Sequence, residues 1–305
     1  MEFLPISDAQ RPLGTTSLRV FPLAYGCWRF AGTDVRHARE KVEAALESGI
    51  NLFDHADVYG GNGAAEELFG KVVAETPHLR DSMLIATKCG IIPGVPYDSS
   101  ARHIARAAEA SLRRLRIDVI DLYQIHRPDM LAHPEEVATA LAQLRAQGKI
   151  REVGVSNFSA AQFEALQHYL PFPVATHQPE FSAWWLEVLR NGIIDQCMQR
   201  RVTLLAWSPM AGGKLGLSVE QAATETNGGR LASLIECLDG IAAAQQTTRT
   251  GVALAFLLTH PAGVVPILGT QRVERIRDSL ATFKVRLRRV DWYAIVQASQ
   301  GKRLP

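Results

Sequence analysis

With 305 residues, 47% of them hydrophobic and 21% charged, the chain has apolar material for a large core in one or two globular units. Its 33 basic and 31 acidic residues leave a net charge of +2, which excludes a broad basic surface for nucleic acid. The four cysteines, Cys27, Cys89, Cys197 and Cys237, form no C-x-x-C pair, and no apolar run approaches the roughly 18 residues of a membrane span.

The opening stretch Met1–Ser7 lacks a basic segment followed by an apolar one, so the sequence reads as a cytoplasmic protein with reduced thiols. Strand and helix patterns then alternate. Leu18–Tyr25 reads as a first strand, and Asp34 caps an amphipathic helix from Val35 to Ser48 that Gly49 stops. Asn51–Phe53 is a second strand with its helix over Ala64–Ala74. Met83–Thr87 is a third, and Ser99-Ser100 cap a helix running to about Arg116. Val119–Ile125 and Pro134–Gln147 form the fourth unit. Ile150–Val155 opens the fifth, whose helix begins with the capping-box pattern Ser159-Ala160-Ala161-Gln162. Val174–His177 and Gly192–Arg200 follow, then Val202–Trp207 with Thr250–Thr259. Gly263–Leu268, Val273–Ala281 and a terminal helix over Asp291–Ser299 complete the series. Pro93–Ser100 and Ala211–Gly229 read as long loops, and Arg286-Leu287-Arg288-Arg289 as a solvated face. Eight strand–helix units predict an α/β protein, a (β/α)8 TIM barrel forming a single domain over 1–305.

In such a barrel the C-terminal strand ends ring one mouth. Asp54, Lys88 and His126 each close a predicted strand, and Tyr59 lies in the glycine-flanked loop after the second. On four barrel positions that converge, these residues make a set able to move a proton to a carbonyl oxygen. A lysine paired with a carboxylate and close to a phenol is expected to lower the phenol's pKa.

The order Asp54-x4-Tyr59, Lys88, His126 resembles the tetrad of the aldo/keto reductases, and the resemblance extends along nearly the whole chain. Gly26-Cys27-Trp28, Gly154-Val155-Ser156-Asn157-Phe158, Gln178, Trp207-Ser208-Pro209-Met210, and Pro266–Thr270 followed by Val273–Ile276 resemble further family motifs. The strings Asp54–Gly61 and His126-Arg127-Pro128-Asp129 are most similar to a bacterial branch of short NADPH-dependent oxidoreductases. The resemblance implies an enzyme that interconverts a carbonyl and an alcohol by hydride transfer, with Tyr59 as general acid/base, Lys88 and Asp54 tuning it and His126 orienting the carbonyl.

It also implies a nicotinamide cofactor lying across the mouth. Ser156, Asn157 and Gln178 would match its carboxamide, with Trp207 as stacking surface, and Gly26 and Trp28 are further expected contacts. Ser208, Met210, Gly212 and Lys214 would follow its pyrophosphate. Gly269, Thr270, Arg272 and Arg275 would meet its far phosphate. The two guanidiniums favour NADPH, with NADH open, although many relatives have lysine where this chain has Gly269. No G-x-G-x-x-G follows the first strand, and Ala211–Leu215 is not a P-loop.

Trp28 and Arg127 are the candidate substrate contacts, with Arg29, Tyr97, Trp184 and Trp185 as further wall residues. Aromatic and cationic walls suit a sugar aldehyde, a small keto acid or a pyridoxal-like ring. A rival from another class is a cofactor-sensing regulatory subunit with little turnover. A second is a metal-dependent barrel hydrolase using His55-x-Asp57, although the reductase reading has no metal. The expected partner is a small carbonyl compound, with neither nucleic acid nor membrane, and oligomeric state and reaction direction are not written in the sequence.

Overall fold

The computed structural model describes residues 2–305; Met1, the first residue of the stretch read for a leader, lies outside them. Eight parallel strands close into a barrel: β1 Ala24–Gly26, β2 Leu52–Asp54, β3 Leu84–Cys89, β4 Ile120–Ile125, β5 Ile150–Ser156, β6 Thr176–Gln178, β7 Thr203–Ala206 and β8 Val265–Leu268. Closure is made by β8 against β1, with Ile267 opposite Ala24 and Leu268 opposite Tyr25.

Side chains alternate along each strand. Ala24, Leu52, Ala86, Leu122, Leu205 and Val265 point inward and fill the cylinder. Tyr25, Phe53, Ile85, Tyr123 and Val153 point outward, under the helices. The helices are α1 Val35–Glu47, α2 Ala64–Glu75, α3 Ala101–Leu115, α4 Pro134–Ala146, α5 Ala160–Tyr169, α6 Ile193–Arg200, α7 Val219–Ala223, α8 Gly228–Ala244, α9 Arg249–Leu258, α10 Val273–Asp278 and α11 Arg289–Gln300. Predicted caps are used: the Asp34 carboxylate accepts from His37 N–H at 2.8 Å, Ser100 Oγ from His103 N–H, and Ser159 with Gln162 forms a complete capping box.

The expected first strand is broken in two. Arg19–Val20 pairs antiparallel with Arg11–Pro12 in a hairpin, and only Ala24–Gly26 joins the barrel. Pro22, which has no N–H to give a ladder, stands between them. The hairpin stoppers the N-terminal end of the cylinder. It drives Leu13 and Val20 into the inner core, and Gly14 N–H donates to Thr203 Oγ1 at 2.7 Å. Gly14 has φ +61°, and a Cβ there would lie 2.6 Å from the Ala175 carbonyl oxygen.

The stretch Ala211–Gly229 is not one long loop. It holds kinked 3-10 turns over Ala211–Gly216, all of α7 and the first two residues of α8. Helix α8 was not anticipated, yet Leu231, Leu234, Ile235, Leu238 and Ala242 are buried at helical spacing. Among the described residues, no helix is long and apolar enough to cross a membrane.

Candidate active site

Four of the predicted residues meet at the C-terminal mouth. Lys88, fully buried on β3, donates to Asp54 Oδ2 at 2.7 Å, to the His55 carbonyl oxygen at 2.7 Å and to Tyr59 Oη at 3.2 Å. Its three N–H bonds thus all have partners, and two of those belong to the tetrad. His126 presents its ring edge-on to Tyr59, with centroids 5.8 Å apart. Its main-chain N–H is held by the Cys89 carbonyl at 2.8 Å, while Nδ1 is buried without a protein partner.

The charges settle in an order the sequence did not give. Burial pushes the Tyr59 phenol up; Lys88 pulls it back, Asp54 opposes Lys88, and the group stays above its ordinary value. The expected net acidification is therefore corrected: Lys88 offsets a burial penalty rather than making the free phenol acidic. Burial also presses the Lys88 ammonium down, but the Asp54 carboxylate and Tyr59 outweigh it and hold the pKa above normal, so the cation persists. Burial, reinforced by Lys88 and Arg127, drives His126 down to about 2, and its imidazole is neutral.

A second layer holds Asp54 in place. Its Oδ1 accepts from Gln178 Nε2 at 2.9 Å and from Gln124 Nε2 at 3.4 Å; Gln124 Oε1 in turn accepts from Thr176 Oγ1. Gly154 makes room for this layer, because a Cβ there would fall 2.1 Å from Thr176 Oγ1 and 2.9 Å from Gln124 Cγ. Asn157, at φ +59°, ties the rim together. Its Nδ2 donates to the His126 carbonyl at 3.1 Å and to Ser156 Oγ at 2.8 Å, and its Oδ1 accepts from Trp207 Nε1 at 2.9 Å.

Residues 22–300 match the model of the aldo/keto reductase family. The chain belongs to the aldo/keto reductase family. It is 46% identical to 6-dehydroglucose reductase of Novosphingobium aromaticivorans, with all of both chains covered. It is 36% identical to oxidoreductase YdhF of Escherichia coli, over 92% of this chain and 94% of that one. The glycerol dehydrogenase of Gluconobacter oxydans, a solved structure, superimposes with a TM-score of 0.83 at 26% identity, over 95% of this chain and 94% of that one. The protein is thus an oxidoreductase of (β/α)8 fold, from a family that works with nicotinamide cofactors.

The aldo/keto reductase mouth offers surfaces that fit a dinucleotide. Ser208, Ala211, Gly212 and Gly213 all have positive φ, curling the chain after β7 into a shallow cradle. A Cβ at Gly212, Gly213 or Gly269 would meet nothing within 4 Å, so an extended ligand can approach the backbone closely. Trp207 is half-buried, and the Asn157 bond fixes its plane. Arg272 and Arg275 are exposed at the start of α10, with Arg272 3.7 Å from Glu274. Thr270 Oγ1 accepts from Arg272 N–H. Besides Asn157 and Gln178, three expected contacts have other structural uses. Lys214 pairs with Glu225 at 2.8 Å, Met210 O accepts from Gly213 and Leu215 in the turn, and Gly26 is required by packing, since its Cβ would lie 2.9 Å from Ile267.

Around the rim of this reductase, Trp28 is 60% exposed and carries the Arg29 guanidinium 4.8 Å from its ring centroid. Arg127 and Tyr97 are half-buried, and Trp185 is exposed. Trp184 is half-buried against the core, with the Arg230 guanidinium 4.1 Å from its ring centroid. His55 and Asp57 do not converge as ligands: the His55 ring is fully buried against Phe30 and Phe69. Among the described residues no three His, Cys, Asp or Glu gather as a metal ion would need. Sequence reasoning passed over Gln124, Thr176 and Glu180. Gln124 had a signal, an amide in a mostly apolar strand, two positions from inward-facing Leu122. Glu180, two residues beyond Gln178, had one in the same alternation.

Proposed function

We propose that this enzyme interconverts an aldehyde or ketone and its alcohol with NADPH, and that Tyr59 is its proton donor and acceptor. The observation that carries the reading is the contact chain Asp54–Lys88–Tyr59, a buried cation held between a carboxylate and a phenol whose ring meets His126. As the substrate oxygen gains charge, Tyr59 gives its proton to that oxygen, and the Lys88 ammonium at 3.2 Å stabilises the phenolate left behind. Asp54, oriented by Gln178 and Gln124, keeps Lys88 charged and aimed. Neutral His126 donates a hydrogen bond to the carbonyl from its ring edge and fixes the attack angle.

A reduced nicotinamide, when bound, supplies the hydride. Trp207 would offer it a stacking face, Ser156, Asn157 and Gln178 would line the carboxamide side, and the Gly212–Lys214 cradle would hold the pyrophosphate. Arg275 and Arg272 favour the extra phosphate of NADPH through the planar fork of guanidinium. The relative named 6-dehydroglucose reductase and the Gluconobacter glycerol dehydrogenase support a sugar- or polyol-derived carbonyl. The composition and the helices fit action in the cytoplasm.

Tyr59→Phe tests the reading. Tryptophan fluorescence titration should give an NADPH affinity close to wild type, while turnover of 4-nitrobenzaldehyde falls by about 100- to 10,000-fold. A fully active Tyr59→Phe protein refutes the proton-transfer assignment. The same titration with NADH should show weaker binding, and Arg275→Ala should narrow the gap.

A further inference from the structure

We infer that Arg127 and Glu180 form a hydroxyl-selecting pair at the mouth, so that the carbonyl this enzyme takes is borne on a neutral polyhydroxylated chain rather than an anionic one. The inference rests on the reductase reading of the same site.

The two residues stand at the ends of one hydrogen-bonded arc. Glu180 lies in register with Trp207 where β6 and β7 continue beyond their ends. The Trp207 indole N–H donates to Asn157 Oδ1, Asn157 Nδ2 donates to the His126 carbonyl oxygen, and Arg127 is the next residue. Arg127 thus directly follows the carbonyl-orienting His126 at β4's end, and Glu180 stands beyond β6's end, joined to it through Trp207 and Asn157.

Both charged side chains are half-buried. Among the described residues neither makes a side-chain hydrogen bond, and they do not pair with each other within 4 Å. They nevertheless feel each other. Burial raises the Glu180 carboxyl, and Arg127 is the charge that pulls it back. Arg127 likewise adds to the depression of His126. Half-buried and without side-chain partners among the described residues, the two offer a guest a donor from one and an acceptor from the other.

The chemistry of a guest follows. A carboxylate would satisfy Arg127 but face Glu180. An alkyl chain would leave both charges without partners as it displaced their water. A hydroxyl accepts from the guanidinium and donates to the carboxylate at once, and neighbouring hydroxyls on a sugar chain can serve both ends. Trp28 adds an exposed aromatic face at the rim for the C–H side of such a chain. The pair thus selects the sugar-like class among those the aromatic and cationic walls suggested, and Glu180 is the residue that turns the site away from keto acids.

Three aldehydes of equal carbon count separate these outcomes: butanal, D-erythrose and succinic semialdehyde, assayed with NADPH. Wild type should favour D-erythrose over butanal by about tenfold or more in kcat/KM, chiefly through KM, and should use succinic semialdehyde least. Glu180→Gln, which keeps the shape and removes the charge, should erase most of the D-erythrose advantage and raise succinic semialdehyde relative to it. NADPH affinity, measured by fluorescence, should not move. Arg127→Met should also lower the D-erythrose-to-butanal ratio. Preference for succinic semialdehyde in wild type, or a Glu180→Gln enzyme that loses the same factor on all three, overturns the pair while the reductase reading stands. No turnover of any of the three overturns both.

Discussion

At the scale of single residues, the tetrad was legible because each member closes an apolar strand, and a barrel sends all such ends to one mouth. What could not be read was the balance of forces on Tyr59. Sequence supplies the lysine but not the burial that outweighs it. Glu180 and the environment of Asp57 were hidden for the same reason, since a carboxylate's surroundings are built by distant segments. Asp57 follows from this. Burial and the Glu66 carboxylate push it up from 3.8 to about 7 against the pull of Arg114 and Lys88. A carboxyl raised on folding binds its proton more tightly in the native state. It therefore costs stability progressively as pH climbs from about 4 to about 7. Asp57→Asn should stabilise the protein by on the order of 2–4 kcal/mol near pH 8 and by much less near pH 5. Thermal melts of the two proteins at both pH values check it; a variant that melts lower than wild type near pH 8 contradicts the buried-carboxyl account.

At the scale of elements, strand and helix positions were largely readable from periodicity and caps, and the failures have identifiable causes. Pro22 inside an apolar run hid the change from hairpin to barrel strand. Gly228-Gly229 and the polar Thr224–Asn227 masked the start of α8, although its buried face repeats at three and four residues. Tertiary clamps between elements were invisible. Asp121, fully buried on β4, is one: it accepts from Ile85 N–H on β3 at 2.8 Å, and pairs with Arg80 at 2.9 Å and with Arg151 on β5 at 3.0 Å. Removing the carboxylate orphans a buried main-chain donor and frees two guanidiniums, both of which can reach water. Asp121→Ala should cost about 2–4 kcal/mol in urea unfolding. Because Asp121 lies near the start of its strand, far from the mouth, kcat of the folded variant should stay within about twofold of wild type. A large loss of kcat with unchanged stability would contradict this placement.

At the scale of the whole molecule, several imidazoles are kept neutral by the core. Burial lowers His55 to about 3, His126 to about 2 and His177 to about 4, with Lys88 adding to the first two. Each must gain a proton when the chain unfolds below about pH 6.5, the ordinary histidine value, so each contributes stability that is lost as pH falls. Asp57 works the other way over part of that window, but three groups outweigh one. The melting temperature should decline steadily from about pH 6.5 toward about pH 4.5, and a flat profile there would show the rings to be solvated. His126 itself should leave no limb in the kcat profile between about pH 5 and about pH 9. The stopper at the bottom of the cylinder carries a consequence for how the chain is made. Gly14 is bound to Thr203, 189 residues later, and Arg11 to the Val264 carbonyl, 253 residues later. The hairpin therefore waits for β7 and β8 to be made before it can seat, and until then Leu13 and Val20 stay open to solvent.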